Sequence, residues 1–381
     1  MTYLPALLQT WHELDFNLGR PEDIDAFPFS APAAVVVMLG MIYFLRKARR
    51  NYLAFPKLPV SASVPVDATV VIPARNEEKD LPACIQSFAG SRVVVVDDGS
   101  SDKTADVARN AGAELIPAPS LPKGAMGKPN ACQAGARNAA TNYLLFADAD
   151  TRFRPEFLSS IVRYAEENEC VLVSAFLRQE LSTPSERILL PYALGVYFCG
   201  VSSKRILDGN SSDVLVNGQC MLFHRAGYEF IGGHTAVHNC VIEDMVFAAK
   251  VKRHHMKLVL LRAEHLGSAR MYGPFAAIWR AFQKNSFRFL MMNQRAGFQV
   301  IAASALLASI VPLGAWLAWD DQWFLLLMLA LLPPYLLAPW YGGVLKALLC
   351  LPAIYLFPLL SIQAILKSTF SRKTLWKGRP V

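Results

Sequence analysis

The sequence predicts an α/β protein, with a doubly wound, mainly parallel sheet between N- and C-terminal transmembrane helices. Within residues 68–270, short runs of Val, Ile and Leu alternate with segments of helical periodicity, as in parallel sheets with crossover helices. Long uncharged apolar stretches lie on both sides, and 53% of the 381 residues are hydrophobic. Acidic side chains follow several predicted strands, at the sheet edge where such folds bind ligands. We therefore expect a ligand-binding domain anchored in a bilayer.

The N-terminal region predicts the anchor and its orientation. Residues 1–26 contain five acidic residues and one basic residue, unlike the positive start of a secretory signal peptide. Residues 27–45 are uncharged and close to the ~20 residues of a membrane helix, and the basic cluster Arg46–Arg50 follows directly. These flanks favour a transmembrane helix at 27–45 over a buried core helix. We expect residues 1–26 outside the cell membrane and a basic juxtamembrane linker, 46–67, leading to a cytoplasmic domain.

The central domain, residues 68–270, shows the alternation of strands and helices. Each predicted strand is a short apolar run bounded by turn residues. The predicted strands are 68–73, 92–97, 114–116, 143–146, 171–176, 220–224 and 257–261, and the predicted helices are 81–88, 104–111, 128–140 and 155–167. This order places the carboxyl ends of the early strands along one edge of the sheet.

The rest of the chain is apolar and indicates contact with the bilayer. Ile188–Val201 is shorter than a span, and the length rule leaves open whether it lies near the membrane or in the core. Residues 271–296 mix aromatic and basic side chains, as an interfacial amphipathic helix does. Residues 298–366 contain three stretches that could form membrane helices, Phe298–Ala318, Phe324–Trp340 and Val344–Leu366, so we expect a multi-pass protein.

The topology of the C-terminal stretches stays open. Three spans after a cytoplasmic domain would leave the basic tail, residues 367–381, outside, whereas its charge favours the inside. Either one stretch is re-entrant or interfacial, or the tail departs from the positive-inside rule. The loop at Asp320–Asp321 carries no basic residue and fits an outside position.

Charge and cysteine usage argue against nucleic-acid binding and structural zinc. Lys and Arg number 38 against 30 Asp and Glu, but the excess gathers beside apolar runs, which indicates anionic lipid headgroups and no nucleic-acid partner. The seven cysteines form neither CxxC nor a Cys/His zinc spacing. We expect reduced, packed thiols in a protein that faces the cytosol.

Four polar features follow the predicted strands in order. The first strand runs into Pro73–Glu77 and the second into Asp97–Asp98, and both loops carry groups that can hydrogen-bond a nucleoside. Lys128 follows a Gly-containing loop at the start of a helix, which suits a diphosphate. Asp148 and Asp150 follow the fourth strand, and on a continuing strand both carboxylates project to one side. Such hard oxygen ligands suit Mg²⁺ or Mn²⁺.

Each feature alone has a simpler interpretation. The first loop resembles an ordinary polar turn, Ser100 or Ser101 could cap the following helix, and the aspartate pair could be a solvated turn. Their succession at neighbouring strand ends makes a common site the better interpretation.

Six segments carry a family resemblance: VVIPARNEE, VVVVDDGSSDKT, GKPNACQAGARNAA, LLFADADT, NGQCMLFHRAGYEFIGGH and VIEDM. They resemble the catalytic domain of glycosyltransferase family 2, which has the GT-A fold, over about residues 68–288. The resemblance implies a nucleotide-sugar donor, usually a UDP-sugar, and a Mg²⁺ or Mn²⁺ ion on Asp148 and Asp150. It implies donor binding by Pro73, Ala74, Arg75, Glu77, Asp97, Asp98, Lys128 and Asp148.

The resemblance also implies the catalytic and acceptor residues. Of the pair Glu243–Asp244, it implies Asp244 as the catalytic base, although two acidic residues at a helix start also suit the helix dipole. The implied acceptor region comprises Asn217, Gly218, Gln219, Gly233, His234, Trp279 and Arg280. His234 and His238 lack a third ligand, so they are acceptor-site or structural residues and not zinc ligands.

Within the family, the nearest resemblance is to small membrane-bound enzymes that glycosylate carotenoid acids or hopanoid lipids. The block from Pro122 to Thr151, the GGH segment and the closing LWKGR carry it. Processive members usually have Gln-x-x-Arg-Trp, but residues 278–283 are IWRAFQ, which disfavours a polysaccharide synthase. We expect an inverting, metal-dependent glycosyltransferase with a membrane lipid acceptor. The alternatives are polysaccharide or cell-envelope glycolipid synthesis, a nucleotidyltransferase, which should have a Gly-rich loop after the first strand, and a non-catalytic scaffold.

Overall fold

The computed structural model describes residues 29–240, 242–273, 275–282, 294–370, 375–376 and 379–380. The predicted outside segment 1–26 lies beyond these residues, as do residues 371–374, 377–378 and 381 of the basic tail and the middle of the predicted interfacial helix 271–296. Of that helix, residues 275–282 are described and are helical.

Twelve strands and fourteen α-helices form the described part of the chain. The strands are β1 (Ala68–Ala74), β2 (Arg92–Asp97), β3 (Glu114–Pro117), β4 (Tyr143–Ala147), β5 (Thr151–Phe153), β6 (Leu172–Phe176), β7 (Arg178–Gln179), β8 (Cys220–His224), β9 (Leu258–Arg262), β10 (Gly267–Ala269), β11 (Leu375–Trp376) and β12 (Arg379–Pro380). The helices are α1 (Ser30–Leu53), α2 (Leu81–Gln86), α3 (Thr104–Asn110), α4 (Gly127–Asn138), α5 (Phe157–Glu167), α6 (Pro184–Gly200), α7 (Ser203–Leu207), α8 (Arg225–Phe230), α9 (Glu243–Arg253), α10 (Gln294–Ala308), α11 (Ile310–Trp319), α12 (Trp323–Tyr341), α13 (Val344–Ala347) and α14 (Cys350–Phe370). This count leaves out helical residues 275–282, and a short 3₁₀ helix, His234–Val237, precedes α9.

The main sheet confirms the predicted mainly parallel α/β fold. Its order is β3-β2-β1-β4-β8-β6-β9, and β8 alone among these seven strands runs antiparallel to its neighbours. Alternate residues of each strand face opposite helix layers, so strands buried on both faces are apolar throughout. The carboxyl ends of β2, β1 and β4 and the start of β8 therefore meet at one edge.

Small residues allow helix α4 to lie directly against this sheet. A Cβ on Gly135 would come within 2.3 Å of Val71 Cγ1 and 3.1 Å of Val96 Cγ2. Close packing here fixes the start of α4, which carries Lys128, relative to the ends of β1 and β2.

A second sheet of three short strands adjoins the same edge. Its order is β5-β10-β7, with β10 antiparallel to β5 and parallel to β7. Arg152 of β5 makes ion pairs of 3.1 Å with Asp80 and with Glu180, which hold this sheet to the α2 side and to the end of β7.

Within the described residues, four helical segments are long and apolar enough to cross a membrane. They are Ser30–Leu53, Gln294–Trp319, Trp323–Tyr341 and Val344–Gln363. The first helix extends through the basic cluster to Leu53, past the predicted end at residue 45, because no helix-breaking residue interrupts it. Ser30 donates a hydrogen bond to Asp320 and Lys47 donates one to Gln299, so α1 runs antiparallel to the α10–α11 segment.

Helix α6 contains most of the stretch Ile188–Val201, whose position the length rule leaves open. A capping box between Thr183 and Glu186 starts the helix, and nine of its residues are buried. Asn51 Nδ2 of α1 donates to Phe198 O at 2.9 Å, and Tyr341 Oη of α12 donates to Ile188 O at 2.8 Å. The helix therefore packs against the candidate membrane helices and joins the sheet domain to them.

Candidate active site

Two loops at the carboxyl edge of the sheet hold each other in place. The loop after β2 turns at Gly99, where φ is +70°. Asp97 Oδ1 accepts hydrogen bonds from Ser100 N at 3.1 Å and Ser100 Oγ at 2.5 Å. The loop after β1 docks on this turn, because Asn76 N donates to Ser100 Oγ at 3.0 Å and Asn76 Oδ1 accepts from Ser101 N at 2.8 Å. Asp97 thus fixes the conformation of the loop that places the next residue, Asp98, at the edge of the sheet.

The structure brings the predicted nucleoside-binding residues together. Pro73 and Ala74 end β1, and Ala74 lies opposite Asp97 in the sheet. Asp98 N donates to Ala74 O at 2.9 Å, and Arg75 Nη1 lies 3.7 Å from Asp98 Oδ2. These groups form one polar wall at the ends of two adjacent strands.

Asp148 and Asp150 lie in a turn and not on a continuing strand, so that basis for the predicted pair was wrong. Thr151 closes the turn, since its backbone N and Oγ1 donate to Asp148 O at 3.2 and 2.6 Å. The chain must turn here because β5 leaves the main sheet to pair with β10. Asp148 N still donates to Gln219 O at 3.1 Å, which keeps the turn against the start of β8.

Lys128 connects the aspartate turn with the acidic pair of α9. Its Nζ lies 2.7 Å from Asp148 Oδ1 and 3.4 Å from Glu243 Oε1, and it donates to Gly218 O at 3.3 Å. Burial disfavours the ammonium, but the charges of Asp148 and Glu243 outweigh it and raise the pKa of Lys128 well above its ordinary value. Lys128 therefore stays charged at the centre of the site.

The Gly218 peptide orients the predicted base. Gly218 N donates to Asp244 Oδ2 at 3.1 Å, while its carbonyl accepts from Lys128. A Cβ at position 218 would lie 3.0 Å from Asp244 Oδ2, so a larger residue would push the carboxylate away. The backbone of a single residue thus contacts both the predicted base and Lys128.

Asp244 occupies the first turn of α9, where its charge suits the helix dipole. Its Oδ1 accepts a hydrogen bond from Met245 N at 2.8 Å. Burial, followed by the charge of Glu243, raises the pKa of Asp244 to about 6. A carboxyl group with a raised pKa is a better proton acceptor than an exposed aspartate, which is what a general base requires.

Asp148 and Asp150 fit a divalent ion in their chemistry. Asp150 Oδ1 is buried and has no hydrogen-bond partner among the described residues. Burial, with the charges of Asp148 and Glu77 adding to it, raises the pKa of Asp150 to about 8. Within the described ranges, no three His, Cys, Asp or Glu side chains are placed to hold a metal together. Substrate phosphates and water would therefore complete the ligand set of an ion bound here.

Asn217 and Gln219 hold the strand start beside Asp148. Asn217 Nδ2 donates to Ala175 O at 3.0 Å and to Gln219 Oε1 at 3.1 Å, and Gln179 Nε2 donates to the same Oε1 at 3.2 Å. Of these two residues of the predicted acceptor region, Gln219 is buried and Asn217 is half-buried. They position Gly218 between them.

Gly233 and His234 lie in the interior. His234 is 0% exposed, its Nδ1 is 2.8 Å from Tyr228 Oη, and its ring contacts Phe146 and Phe247. Burial, with the charge of Lys128 next, lowers the pKa of His234 to about 3, so the ring is neutral. These contacts match the structural alternative for this histidine. A Cβ on Gly233 would lie 2.8 Å from the Tyr228 ring.

Trp279 and Arg280 belong to the helical residues 275–282. Trp279 is half-buried with its ring 5.4 Å from that of Phe275, and Arg280 is exposed. The same segment begins near the aspartate turn, because Arg270 N donates to Asp150 O at 3.0 Å.

Tyr197 and Lys252 are site neighbours that sequence reasoning missed. Burial, with the charge of Asp244 second, raises the pKa of Tyr197 on α6 well above its ordinary value. Lys252 Nζ lies within hydrogen-bond distance of four backbone carbonyls between residues 205 and 213, with the shortest distance, 2.6 Å, to Asp213 O. Helix α9 thus holds the 205–218 segment at both of its ends. No local pattern marked either residue, since long-range packing brings each to the site.

Comparisons with known proteins support the resemblance to glycosyltransferases. The family model for glycosyl transferase family 2 matches residues 69–226. The 4,4'-diaponeurosporenoate glycosyltransferase of Staphylococcus haemolyticus is 28% identical over 237 residues, which are 60% of this chain and 63% of that protein. The protein of the same name from Staphylococcus aureus strain USA300 is 28% identical over 211 residues, 54% of this chain and 56% of that protein. The chain spans less than two thirds of the length of these curated relatives.

Among solved structures, the chain is similar to the mannosyltransferase PcManGT from Pyrobaculum calidifontis in complex with GDP-Man and Mn²⁺. The TM-score is 0.53 at 16% sequence identity, with 91% of this chain and 99% of that chain covered. This similarity confirms the GT-A fold predicted from the sequence.

Proposed function

We propose that this chain, whose residues 69–226 match the family model for glycosyl transferase family 2, transfers a sugar from a nucleoside diphosphate sugar, a UDP-sugar by the family pattern, to a membrane lipid. Acceptors of this class include carotenoid acids and other isoprenoid lipids. The observation that carries the proposal is the network around Lys128. It joins Asp148 of the aspartate turn to Glu243, beside the proposed base Asp244. Donor and acceptor chemistry therefore meet within one set of contacts.

The donor would lie along the carboxyl edge of the sheet. The loops at Pro73–Glu77 and Asp97–Asp98 would hold the nucleoside, and Lys128 would bind the diphosphate from the start of α4. Asp148 and Asp150 would hold Mg²⁺ or Mn²⁺, which supplies positive charge to the diphosphate leaving group. The family in which these residue types recur uses such donors, and the order of the strand ends supports the same arrangement here.

Asp244 would take the acceptor proton. The Gly218 and Met245 amides fix the two carboxylate oxygens, so the group is held in one orientation before substrate binds. Direct attack by the acceptor on the sugar carbon would invert the anomeric centre. No step needs a covalent bond between the sugar and the protein.

The apolar helices suit an acceptor dissolved in the bilayer. Met271 and Phe275 are 41% and 40% exposed on the segment that starts at the Asp150 carbonyl. That segment reaches the last apolar helix, where the Phe282 ring lies 5.7 Å from Phe357 of α14. We propose that lipid enters along this surface, in a multi-pass cell-membrane protein whose catalytic domain faces the cytoplasm.

Two measurements test the proposed function. Lipid extracts of cells with and without the gene should differ by a species heavier by one sugar residue, detected by mass spectrometry. The purified full chain in detergent, given radiolabelled UDP-glucose and that lipid, should transfer label into the organic phase. Lipid profiles identical in both cell types would count against a lipid acceptor. Transfer from another nucleoside diphosphate sugar in place of UDP-glucose would correct the donor alone.

A further inference from the structure

Lys128 occupies the position between oxygen groups that a cation would take. Within 3.4 Å of its ammonium nitrogen lie a carboxylate oxygen of Asp148, a carboxylate oxygen of Glu243 and the carbonyl oxygen of Gly218. The side chains of Lys128 and Asp148 are 35% and 28% exposed, so both are accessible to a ligand. The ammonium thus neutralises Asp148 when no other cation is present.

A divalent ion on Asp148 would compete with this ammonium. Two cations within about 4 Å of each other repel strongly at the effective dielectric of a protein surface. Asp148 Oδ1 can therefore bind either Lys128 or the metal ion tightly, but not both. An added anion between the two cations would remove this competition. The diphosphate of the proposed donor is such an anion.

The backbone of Lys128 is anchored, so the exchange needs only side-chain motion. Met126 N donates to His238 O at 2.7 Å, and Asn130 N donates to Met126 O at 3.2 Å. Gly135 packs tightly on β1 and fixes the same helix. A lysine side chain has four rotatable carbon links, which let its ammonium move from Asp148 to a phosphate without a shift of α4.

We propose that Lys128 is an internal cation that keeps the aspartate turn closed to a metal ion until a nucleoside diphosphate draws the ammonium away. This inference rests on the proposed function, because it assumes a diphosphate donor. It makes metal and donor binding mutually dependent, and by linkage each raises the affinity for the other by the same factor.

The test measures Mn²⁺ binding to the full chain in detergent by the EPR signal of free Mn²⁺, without substrate. Lys128→Met keeps the length of the side chain and removes its charge. We expect this variant to bind Mn²⁺ at least about tenfold more tightly than the wild type, since the competing cation is gone. Adding UDP should strengthen Mn²⁺ binding in the wild type and do so by a smaller factor in the variant.

Three further variants distinguish competition by Lys128 for Asp148 from a general charge effect. Lys103→Met removes the same charge from an exposed lysine of the same domain and should leave Mn²⁺ affinity within about twofold. Lys128→Arg retains a cation and should keep the weak metal binding of the wild type. The double variant Lys128→Met/Asp148→Asn should lose the increase in Mn²⁺ affinity, which would show that the increase depends on Asp148.

The Lys128→Met variant should first be shown to unfold at the same temperature as the wild type. If its Mn²⁺ affinity is then unchanged or weaker, the proposed competition between Lys128 and the metal ion is wrong. Absence of Mn²⁺ binding from every form would overturn it as well. Sugar transfer to lipid is measured separately, so the proposed function would stand in either case if transfer is observed. If the expected changes in Mn²⁺ affinity are seen but no sugar is transferred, the competition between Lys128 and the metal ion stands and the proposed function is wrong.

Discussion

Asp244 is the residue whose surroundings most directly set the expected pH dependence. Burial and the neighbouring Glu243 raise its pKa to about 6, while Lys128 and two backbone amides act in the opposite direction. Only the ionised carboxylate accepts a proton, so kcat/KM for a hydroxyl acceptor should rise about tenfold per pH unit up to about pH 6 and level off above it. Glu243→Gln should move the midpoint to lower pH. A midpoint near pH 4 in the wild type would show that the buried Asp244 is not the titrating base.

The acceptor decides how much the reaction needs this base. A carboxylic acid acceptor, with a pKa of about 4–5, is already ionised at neutral pH, whereas a hydroxyl acceptor must lose its proton during attack. Asp244→Asn should therefore abolish transfer to hydroxyl lipids and leave a larger fraction of transfer to a carboxylic acid. Radiolabel transfer to the two acceptors in parallel, at pH 7.5, measures this ratio. Near-normal turnover of a hydroxyl lipid by the variant would refute the base assignment.

Residue types were easier to predict than their roles. Asp148 could be picked out because a carboxylate at a buried strand end is costly without a ligand, and Lys128 because a cation at a helix start suits a diphosphate. Asp244 followed only from the family resemblance. The ion pair from Lys128 to Glu243 could not be predicted, because 115 positions separate the two residues and the sheet order alone brings them together. The surroundings of His234 were equally hard to predict. Its local sequence gives no sign that Tyr228 and two phenylalanines enclose it.

Helix α6 is one of the elements through which the site domain and the apolar helices contact each other. Its last residue, Gly200, lies against the start of α10, where a Cβ would come within 2.2 Å of the Ala296 carbonyl oxygen. Backbone atoms cannot rotate away as a side chain can, so Gly200→Ala should destabilise the fold by about 1–3 kcal/mol. Thermal unfolding of the full chain in detergent should show a Tm lower by several degrees.

Gly209→Ala is the matched control for this packing contact. No atom lies within 4 Å of a Cβ built at Gly209, so the variant should keep the wild-type Tm. Equal Tm values for the two variants would mean that the contact between α6 and α10 contributes little to stability.

At the element scale, short buried strands were predicted well and their connections less well. The predicted bounds of β2 and β8 match the structure, because a run of apolar residues bounded by turn formers has few alternatives. The projection of Asp148 and Asp150 to one side assumed that the fourth strand continues, whereas the chain turns there because β5 joins another sheet. The position of α6 was also left open. Its apolar composition suits a bilayer or a core, and its contacts with the candidate membrane helices α1 and α12 are compatible with both.

At the scale of the whole molecule, polar contacts near the helix ends orient the apolar bundle. Ser30 at the start of α1 contacts Asp320, and Lys47 near its other end contacts Gln299 near the start of α10. Trp340 at the end of α12 stacks on Phe198 of α6, with ring centroids 5.6 Å apart. One end of the bundle is thus acidic and polar, and the other end carries the basic cluster and contacts the site domain.

This asymmetry gives a direct test of sidedness. Basic residues remain on the cytoplasmic side of a membrane, so the Asp320–Asp321 turn should face outward and the site domain inward. In intact cells, a membrane-impermeant maleimide should label Asp321→Cys and should label Lys103→Cys only after permeabilisation. Six of the seven native cysteines are buried and the seventh is half-buried, so the unsubstituted chain supplies a low background. Labelling of Lys103→Cys in intact cells would place the site domain outside. A nucleotide-sugar donor made in the cytosol would then be unable to reach it.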